Sequence, residues 1–444
     1  MNTNFKLNNL NILNYVSWCI SALPIILIFS NSFADIIVVL ASIFFLYESI
    51  KRNTWNWLSC TWIQVSFLIY FCLIITSFFA YNQELALSRS LPWIRFVIFS
   101  ASLQFLFLNN ERYKNRLLFF LFVAITYVAC EMLMEYFTGT SLYSKIRSNF
   151  FDLVDFNGGP DRISGPFKDA PKSGIFLAYF LLPAILGVTK FISRKYSLFL
   201  ILLLVSIGLF LIHISGHRAS ILSFYLSLTV LITYFFWDKR KIVFSLLVVL
   251  FIGVIAYNSS PNKTENNVVK TYKELKNYNN SAYGALSATA FKMFKEHSFS
   301  GIGLKNYRVA CENDKFLSKG HLGTGYGVSP WKGHYNQGLK KHYEATCSSH
   351  PHNLYLTWLA ETGIIGFSLF IFLIFVICKE IFKKKKIIFN EIIFLGILLS
   401  MFPKFLPMMP SLNFFSNWNA ICLWLLIGWM LSFIKEEKKI IKIL

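Results

Sequence analysis

The feature that most constrains this chain is a series of long apolar runs that recurs along nearly the whole sequence. A stretch of about 20 mostly apolar residues is long enough to cross a lipid bilayer as a helix. Only 15% of the residues are charged and 55% are hydrophobic, whereas a soluble domain carries about 25% charged residues. We therefore expect an all-α polytopic membrane protein. The same composition excludes a soluble enzyme, a disordered chain and a secreted disulfide scaffold.

Twelve apolar runs are candidate transmembrane helices. They cover residues 12–30, 33–49, 62–80, 91–108, 117–137, 174–190, 196–214, 220–237, 242–257, 353–378, 387–403 and 419–434. This pattern predicts three parts. Residues 1–257 hold the first nine helices with a polar loop at 138–173, residues 258–352 form a second and larger loop, and residues 353–444 hold the last three helices and the C-terminus.

The distribution of Lys and Arg among the short connections predicts the orientation of the chain. Clusters such as Lys239, Arg240 and Lys241, and the run from Lys383 to Lys386, lie on the side that holds both termini. Basic residues in short loops favour the cytoplasmic side, so both termini are expected there and both long loops outside. These anchors also explain the net charge of +21. No basic domain stands apart from the spans, and nucleic acid is therefore not an expected partner.

A tight turn that carries two cations ends the first long loop. The sequence from Asp161 to Lys168 reads DRISGPFK, and its Gly and Pro favour a turn that holds Arg162 and Lys168 at the membrane surface. An arginine binds phosphate through a rigid two-point contact. The alternative is an interfacial anchor whose charge reaches toward the lipid headgroups.

The connection between the seventh and eighth runs contains Arg218 and is too short to leave the membrane surface. An arginine there is costly unless it is paired or faces a polar cavity. It would lie at the depth at which a lipid-linked diphosphate presents its charge. Binding of phosphate and anchoring at the headgroups are both compatible with this position.

The motif richest in chemical groups opens the tenth run and reads SSHPHNLYLTWLAETGIIG from Ser348 to Gly366. His352 is expected near a helix start, where a neutral imidazole can accept a proton from a sugar hydroxyl and the positive helix end favours the neutral form. Glu361 lies two to three turns deeper, and an intramembrane carboxylate is a functional candidate by default. All eight histidines of the chain fall on or next to the outer side. The chemistry is therefore expected at the outer face.

Histidine and cysteine side chains near this motif could in principle bind a metal or form a disulfide. His342, Cys347, His350 and His352 are close in sequence, but their spacing matches no strong zinc pattern. We therefore expect no metal and no other cofactor. Cys311 shares a polar segment with Cys347, and the two can pair if that segment faces an oxidising compartment.

The large loop has a helical segment and a basic surface. Residues 286–297 have helical periodicity, with Leu286, Phe291 and Phe294 on roughly one side. The run GIGLKNYR follows and ends at Arg308, and its Gly-x-Gly is weak support for a phosphate loop. The basic residues of the loop either form a solvated surface or bind an anionic lipid or glycan.

Two carboxylates lie one helical turn apart near the end of the fifth run, at Glu131 and Glu135. They either face a polar cavity or mark the outer end of the span. The sequence leaves both interpretations open.

Together these motifs resemble the O-antigen ligase family of bacterial membrane glycosyltransferases, which includes related O-antigen polymerases. The resemblance spans about residues 160 to 430. It rests on Arg162-x-Ser164-Gly165-x-Phe167, the short turn with Arg218, the helix followed by Gly301-x-Gly303, and His352-Asn353-x-x-Leu356 with Glu361-x-Gly363-x-x-Gly366.

This resemblance implies a GT-C-like helical fold in the bacterial inner membrane, and transfer of a glycan from undecaprenyl diphosphate on the periplasmic side. For the ligases the acceptor is lipid A–core, and the reaction inverts the anomeric centre without a metal. The resemblance implies that Arg162 and Arg218 bind the diphosphate and that His352 is the general base. Lys168, His350, Asn353, Glu361 and Arg308 are the further candidate substrate-binding residues.

The sequence departs from the family at three places. Ser298 stands where the family often has Pro, and Tyr283 lies where the preceding helix often begins with Arg. The usual Ser/Thr-Arg-Gly of the short turn reads His217-Arg218-Ala219. These differences concern binding of the acceptor more than the arginines assigned to the donor.

Two other functions compete with a ligase. A polymerase has the same donor but joins it to another lipid-linked repeat unit. A transporter or flippase would also have twelve spans with both termini inside, and the carboxylates Glu131, Glu135, Glu361 and Glu391 would support it. Against a transporter, the chain has no clear matching half-repeats, and most candidate residues lie at the outer surface.

Overall fold

The computed structural model describes residues 3–143, 145–146, 163–167, 172–235, 271–272, 274–311, 313, 315–318, 348–384 and 391–434. Within these ranges the chain forms helices and no β-strand, and one isolated β-bridge joins Asn353 to Pro410. The predicted all-α class is confirmed for the part of the chain described.

Seven helices precede residue 163. They are α1 (Thr3–Ser21), α2 (Leu23–Phe29), α3 (Asn31–Lys51), α4 (Thr61–Ser77), α5 (Gln83–Ser90), α6 (Ile94–Ser102) and α7 (Glu111–Thr138). Pro24 lies in the first turn of α2, where a missing N–H is tolerated, and the axes of α1 and α2 differ by 54°. Helix α7 begins at the side-chain cap of Asn110 and ends at Gly139, whose φ of 78° is a conformation that favours glycine.

Eight more helices follow. They are α8 (Ser173–Val188), α9 (Arg194–Ile214), α10 (Arg218–Phe235), α11 (Ala282–Glu296), α12 (Tyr307–Ala310), α13 (Leu354–Lys383), α14 (Ile392–Met401) and α15 (Asn417–Ser432). Helices α11 and α12 belong to the predicted large loop, and the other six coincide with predicted spans.

Eleven of the twelve predicted spans coincide with helices, and the twelfth, 242–257, lies outside the described residues. By length and apolar composition alone, six helical stretches of the described chain can cross a membrane, or seven if α1 and α2 form one bent span. One of the six is the continuous stretch Gln83–Phe107, which contains α5 and α6. Four shorter apolar helices are also present. The protein is thus an all-α, multi-pass membrane protein, while the total of twelve spans stays a prediction.

The centre of the helical bundle is formed by α8 and α15, in which nearly every residue is buried. Helix α8 packs against α7, α9, α10 and α14, and α15 packs against α3 and α6. A helix that is apolar on all sides is stable where lipid or protein covers it, and neighbouring helices cover both of these. These two helices therefore fix the positions of the neighbouring helix ends at which the candidate residues lie.

The described part of the large loop forms a small apolar core on the first turns of α13. The core residues are Leu286, Ala290, Met293, Ile302, Tyr307, Ala310, Cys311, Phe316 and Ala360. The helix predicted at 286–297 is present as α11. Of the three apolar residues predicted to share one side of it, Leu286 is buried. Phe291 is 46% exposed, because Ala290 and Met293 occupy the face that turns toward α13.

Candidate functional site

A cavity of about 280 Å³ opens between α8, α10, α11, α13 and the segment that follows α14. Its polar and charged lining residues are Lys172, Tyr179, His217, Arg218, Ser220, Ser223, Tyr283, His352, Lys404, Ser411 and Asn419. Arg218 and His352 are 134 positions apart in the sequence, and the fold places both on this one cavity.

Arg218 is the first residue of α10, directly after a tight turn in which Gly216 has a φ of 64°. The turn packs closely on α8 because residue 174 is a glycine. A Cβ atom at Gly174 would lie 2.4 Å from Ser215 Oγ and 3.0 Å from His217 Cβ. The close approach of α8 thus holds Arg218 at the cavity wall.

The guanidinium of Arg218 makes a two-point ion pair with Glu274, from the segment that precedes α11. Its two terminal nitrogens lie 2.9 and 3.4 Å from the carboxylate oxygens, and the first also donates to Thr271 Oγ1 at 3.1 Å. Both side chains are largely shielded from solvent. This geometry is the same forked contact that an arginine makes with a phosphate.

His352 lies in the left-handed region with a φ of 54°, one residue before the cap of α13. Histidine enters this region more readily than most residues, although at a cost in backbone strain. The strained backbone is held by Ser411, whose N–H donates to the carbonyl oxygen of His352 at 2.8 Å. Ser348 Oγ lies 3.2 Å from His352 Nε2, so a hydrogen bond also fixes the ring at the cavity.

His350 and Asn353 lie on either side of this residue and fasten it to the segment after α14. His350 is buried, with Nε2 3.0 Å from the carbonyl oxygen of Ser411. Asn353 caps α13 by accepting from the N–H of Leu356 at 3.0 Å, and its Nδ2 donates to the carbonyl of Pro407 at 2.6 Å. Neither side chain lines the cavity, so in this structure both hold His352 in place.

The imidazole of His350 is strongly affected by its surroundings. Burial lowers the pKa of His350 well below its ordinary value, and the nearby ring of His352 adds to this shift. The two ring centroids are 4.1 Å apart. Because His350 is neutral, it places no buried positive charge beside the imidazole of His352.

Glu361 is fully buried in α13 and lies away from the cavity. Its Oε2 accepts from the backbone N–H of Lys305 at 2.9 Å, in the turn that follows the Gly-x-Gly of the large loop. Burial lowers the pKa of the Lys305 ammonium to about 8, although the charge of Glu361 opposes this shift. The carboxylate therefore joins the loop to α13 in the described structure.

The two glycine motifs interlock at the same place. Gly303 N–H donates to the carbonyl of Glu361 at 3.0 Å, and Ile364 N–H donates to the carbonyl of Ser298 at 2.8 Å. A Cβ on Gly301 would lie 2.4 Å from the backbone carbon of Glu361. Both motifs need glycine because two backbones cross with no room for a side chain between them.

Arg308, predicted to bind substrate, lies in the short helix α12 and does not line the cavity. Arg162 and Lys168 lie outside the described residues. Between them, the backbone N–H groups of Ser164 and Gly165 donate to the Glu135 carboxylate at 3.2 and 2.6 Å.

Glu131 and Glu135, near the end of α7, therefore both have structural partners. Glu135 holds the turn at Ser164 and Gly165, and Glu131 accepts from the backbone N–H of Tyr143 at 3.1 Å. Their spacing on one helix face was visible in the sequence, whereas their backbone partners were not. Both residues bind the ends of the first long loop to α7.

The residues of the cavity and its wall that were not predicted as site residues include Lys172, Glu274, Tyr283 and Lys404. Tyr283 packs edge-to-face on His352, with ring centroids 6.1 Å apart. Tyr283 lies at the helix start, where members of the family that the sequence resembles often have an arginine. Lys172 and Lys404 had no sequence signal beyond a cation near the end of an apolar run.

Metal binding has no candidate group within the ranges given above. No three His, Cys, Asp or Glu side chains of those ranges come close enough together to hold a metal ion. Two residues of the histidine and cysteine cluster considered in the sequence, His342 and Cys347, lie outside these ranges. Cys311 is disulfide-bonded, and its Sγ lies 3.6 Å from the carbonyl oxygen of Ser348.

The fold and the cavity define a polytopic membrane protein with cationic and histidine side chains at one end of its helical bundle. Residues 200–371 match the family model described as O-antigen ligase. This match confirms the resemblance to the O-antigen ligase family that the motifs indicated. The match includes Arg218, the described part of the large loop and His352.

The match supports ligase-type or polymerase-type activity on lipid-linked glycans in general. No curated protein matches the chain.

Proposed function

We propose that this protein is an O-antigen ligase. It transfers a glycan from undecaprenyl diphosphate to lipid A–core at the periplasmic face of the inner membrane, by a GT-C-like fold with twelve spans. The observation that carries the proposal is the shared cavity of Arg218 and His352. One residue supplies a fixed cation for the leaving group, and the other supplies a base for the acceptor.

The reaction we propose is a single inverting displacement. His352 takes the proton from an acceptor hydroxyl, and the oxygen forms a bond to the anomeric carbon of the donor sugar. The bond from that carbon to the diphosphate oxygen breaks, and its electron pair leaves with undecaprenyl diphosphate. Arg218, together with Arg162, stabilises the charge that grows on the leaving group. The charge is neutralised by side chains, and the proposal includes no metal and no cofactor.

Glu274 places a condition on this role of Arg218. The carboxylate occupies both terminal nitrogens of the guanidinium, at 2.9 and 3.4 Å. A donor diphosphate must displace Glu274 or share the guanidinium with it. Binding of the donor is therefore coupled to movement of the segment that precedes α11.

The other predicted substrate-binding residues act at different distances from the reaction in this proposal. His350 and Asn353 position His352, as their hydrogen bonds to Ser411 and Pro407 support. Glu361 positions the large loop through Lys305. Lys168 and Arg308 remain candidates for contacts with the anionic parts of the substrates.

The orientation in the membrane is part of the same proposal. The Lys and Arg residues of the short connections favour a cytoplasmic location for both termini. The cavity then lies at the periplasmic end of α8, α10 and α13. Lipid-linked glycan and lipid A–core reach this end from the outer leaflet.

The experiment that tests the proposal is the lipopolysaccharide banding pattern of a strain that lacks this protein, with lipid-linked glycan assayed beside it. A ligase predicts bare core, with polymerised glycan accumulating on undecaprenyl diphosphate. Core capped by a single repeat unit would show a polymerase instead. An unchanged pattern would contradict both functions and favour the transporter alternative.

A further inference from the structure

Two lysines face the cavity from separate parts of the fold. Lys172 directly precedes α8, and Lys404 lies in the 3₁₀ turn Phe402–Phe405 that follows α14. Neither forms an ion pair with any carboxylate in the described part of the chain, whereas Arg218 at the same cavity does. An ammonium that is partly shielded from water and has no counter-ion is destabilised, so a charged partner is expected when the cavity is occupied.

Aromatic rings bring the two ammonium groups toward one part of the cavity. Lys404 Nζ lies 3.6 Å from the centroid of the Tyr179 ring, and Lys172 Nζ lies 5.6 Å from that of Trp418. The two rings are themselves 6.3 Å apart. Such cation–π contacts compensate a buried charge in part and leave its hydrogen-bond donors without acceptors.

Within the described ranges, neither ammonium group makes a hydrogen bond to the polar side chains that line the cavity beside it. The hydroxyl of Tyr179 is 2.5 Å from Asn419 Oδ1, to which it donates. The amide of Asn419 in turn donates to the carbonyl of Asn413 at 3.2 Å. Tyr179 and Asn419 are therefore engaged with each other and with the backbone of Asn413, and the ammonium groups are left to the cavity.

An independent observation at the same cavity is the hydroxyl of Ser411. This residue lines the cavity, and its Oγ is buried with no hydrogen-bond partner among the residues described. An orphaned buried hydroxyl is rare because its desolvation is not compensated. A ligand that accepts hydrogen bonds in the cavity would satisfy it together with the lysines.

We propose that Lys172 and Lys404 bind a phosphate group, with Ser411 Oγ as an additional donor. An ammonium binds phosphate as a point charge, which suits two lysines that approach from different elements. Resting on the proposed function, we assign this group to one of the two phosphates of the lipid-linked donor, with Arg218 on the other. The cavity then holds separate cationic positions for the two phosphates of one diphosphate.

The first test uses the wild-type protein and inorganic pyrophosphate. Each lysine is quantified by mass spectrometry after brief acylation in detergent, with and without pyrophosphate. We expect pyrophosphate to slow the acylation of Lys172 and Lys404 at least about fivefold. Lys190 and Lys315, which pair with Glu111 and Glu296, serve as internal controls and should react unchanged. Equal labelling of the cavity lysines with and without pyrophosphate would overturn the inference.

The second test identifies the source of the phosphate. The double variant Lys172→Gln, Lys404→Gln is compared with Lys190→Gln, Lys315→Gln, which removes the same charge away from the cavity. The cavity variant is expected to bind undecaprenyl diphosphate about tenfold more weakly than the control variant and to bind lipid A–core unchanged. Selective loss of lipid A–core binding would overturn the assignment to the donor and move the phosphate to the acceptor.

The outcomes also separate this inference from the proposed function. Protection by pyrophosphate in a wild-type protein that binds no undecaprenyl diphosphate would contradict the ligase proposal and support the phosphate site. Normal binding of undecaprenyl diphosphate by a folded cavity variant would overturn the donor assignment of the lysines and leave the ligase proposal in place. The labelling experiment needs no variant, so poor folding of the double variant leaves the inference testable.

Discussion

Arg218 and Glu274 form a two-point ion pair at the wall of the cavity that also holds His352, with the shorter nitrogen–oxygen distance at 2.9 Å. The guanidinium is thereby oriented before any substrate is present. The same pair competes with a diphosphate, because the forked contact is already occupied. Several expected outcomes depend on the balance between these two effects.

Replacing Glu274 with Gln should strengthen binding of undecaprenyl diphosphate about fivefold, or about 1 kcal/mol. The neutral amide no longer competes for Arg218 with the charge of a carboxylate. Binding to the purified protein in detergent is the measurement. Asp35→Asn is the matched control, since Asp35 pairs with Arg95 away from the cavity at 2.8 Å. Weaker binding by the Glu274 variant alone would show that Glu274 mainly orients Arg218.

Replacing Arg218 with Lys should lower kcat/KM for glycan transfer by about 10² to 10³. A lysine keeps the charge but cannot make a planar two-point contact with a phosphate. Arg95→Lys alters a comparable arginine–carboxylate pair elsewhere in the bundle and should leave transfer nearly unchanged. Near-normal transfer by the Arg218 variant would contradict a role in binding phosphate and would show that Arg218 is an anchor at the membrane surface.

Replacing Gly301 with Ala should destabilise the protein by about 2–4 kcal/mol. The new Cβ would lie 2.4 Å from backbone atoms of α13, at a φ of 68° that disfavours alanine. Gly139→Ala is the control, since Gly139 also has a positive φ but a Cβ there would meet no other atom within 4 Å. Thermal unfolding in detergent separates the two variants. Equal destabilisation of both variants would mean that the positive φ accounts for the whole loss, and that the close backbone contact at Gly301 adds nothing.

The stability of the protein should fall as the pH drops below about 6.5, the ordinary pKa of histidine. His350 has a folded-state pKa well below that value because of burial, so the unfolded chain binds more protons in this range. By linkage the free energy of unfolding then decreases as pH falls, by up to about 1.4 kcal/mol per pH unit. We expect His350→Gln to flatten the fall between pH 6.5 and 5, measured by thermal unfolding, and His297→Gln to leave it in place. An unchanged slope in the His350 variant would contradict the assignment.

The helices were predicted well from the sequence because the length of each long apolar run indicates the length of the helix that it forms. The short connection at Arg218 and the helix start beside His352 were both predicted at the right place. Apolar periodicity is weaker evidence about faces. Phe291 was predicted on the same side of the helix as Leu286, whereas Leu286 is buried together with Ala290 and Met293, whose small or flexible side chains allow close packing on α13.

The site was only partly predictable, since most of its contacts join distant segments. The pairing of Glu274 with Arg218 spans 56 positions. The ammonium of Lys404 meets the ring of Tyr179, which lies far away in the sequence, on another helix. A single sequence records that such residues exist near the ends of apolar runs. It does not record which of them the bundle brings together.

Glu361 illustrates a different limit. An intramembrane carboxylate is a functional candidate by default, and the sequence supported that interpretation. In the structure its Oε2 accepts from the backbone N–H of Lys305, and the crossing of Gly301 with α13 lies beside it. The backbone donor could not be identified from residue types, because every residue except proline supplies one.

We propose that His352 acts as the base on the acceptor while Arg218 binds the donor. The variant His352→Asn tests these two roles most directly. Asparagine tolerates the left-handed φ of 54° but carries no basic nitrogen, so backbone strain and loss of the base are separated. Single-turnover transfer from undecaprenyl-diphosphate-linked glycan to lipid A–core is measured alongside binding of the donor. We expect transfer to fall by about 10² to 10⁴ while the affinity for the donor stays within about twofold. Near-normal transfer, or a loss of donor binding that matches the loss of transfer, would contradict the proposal.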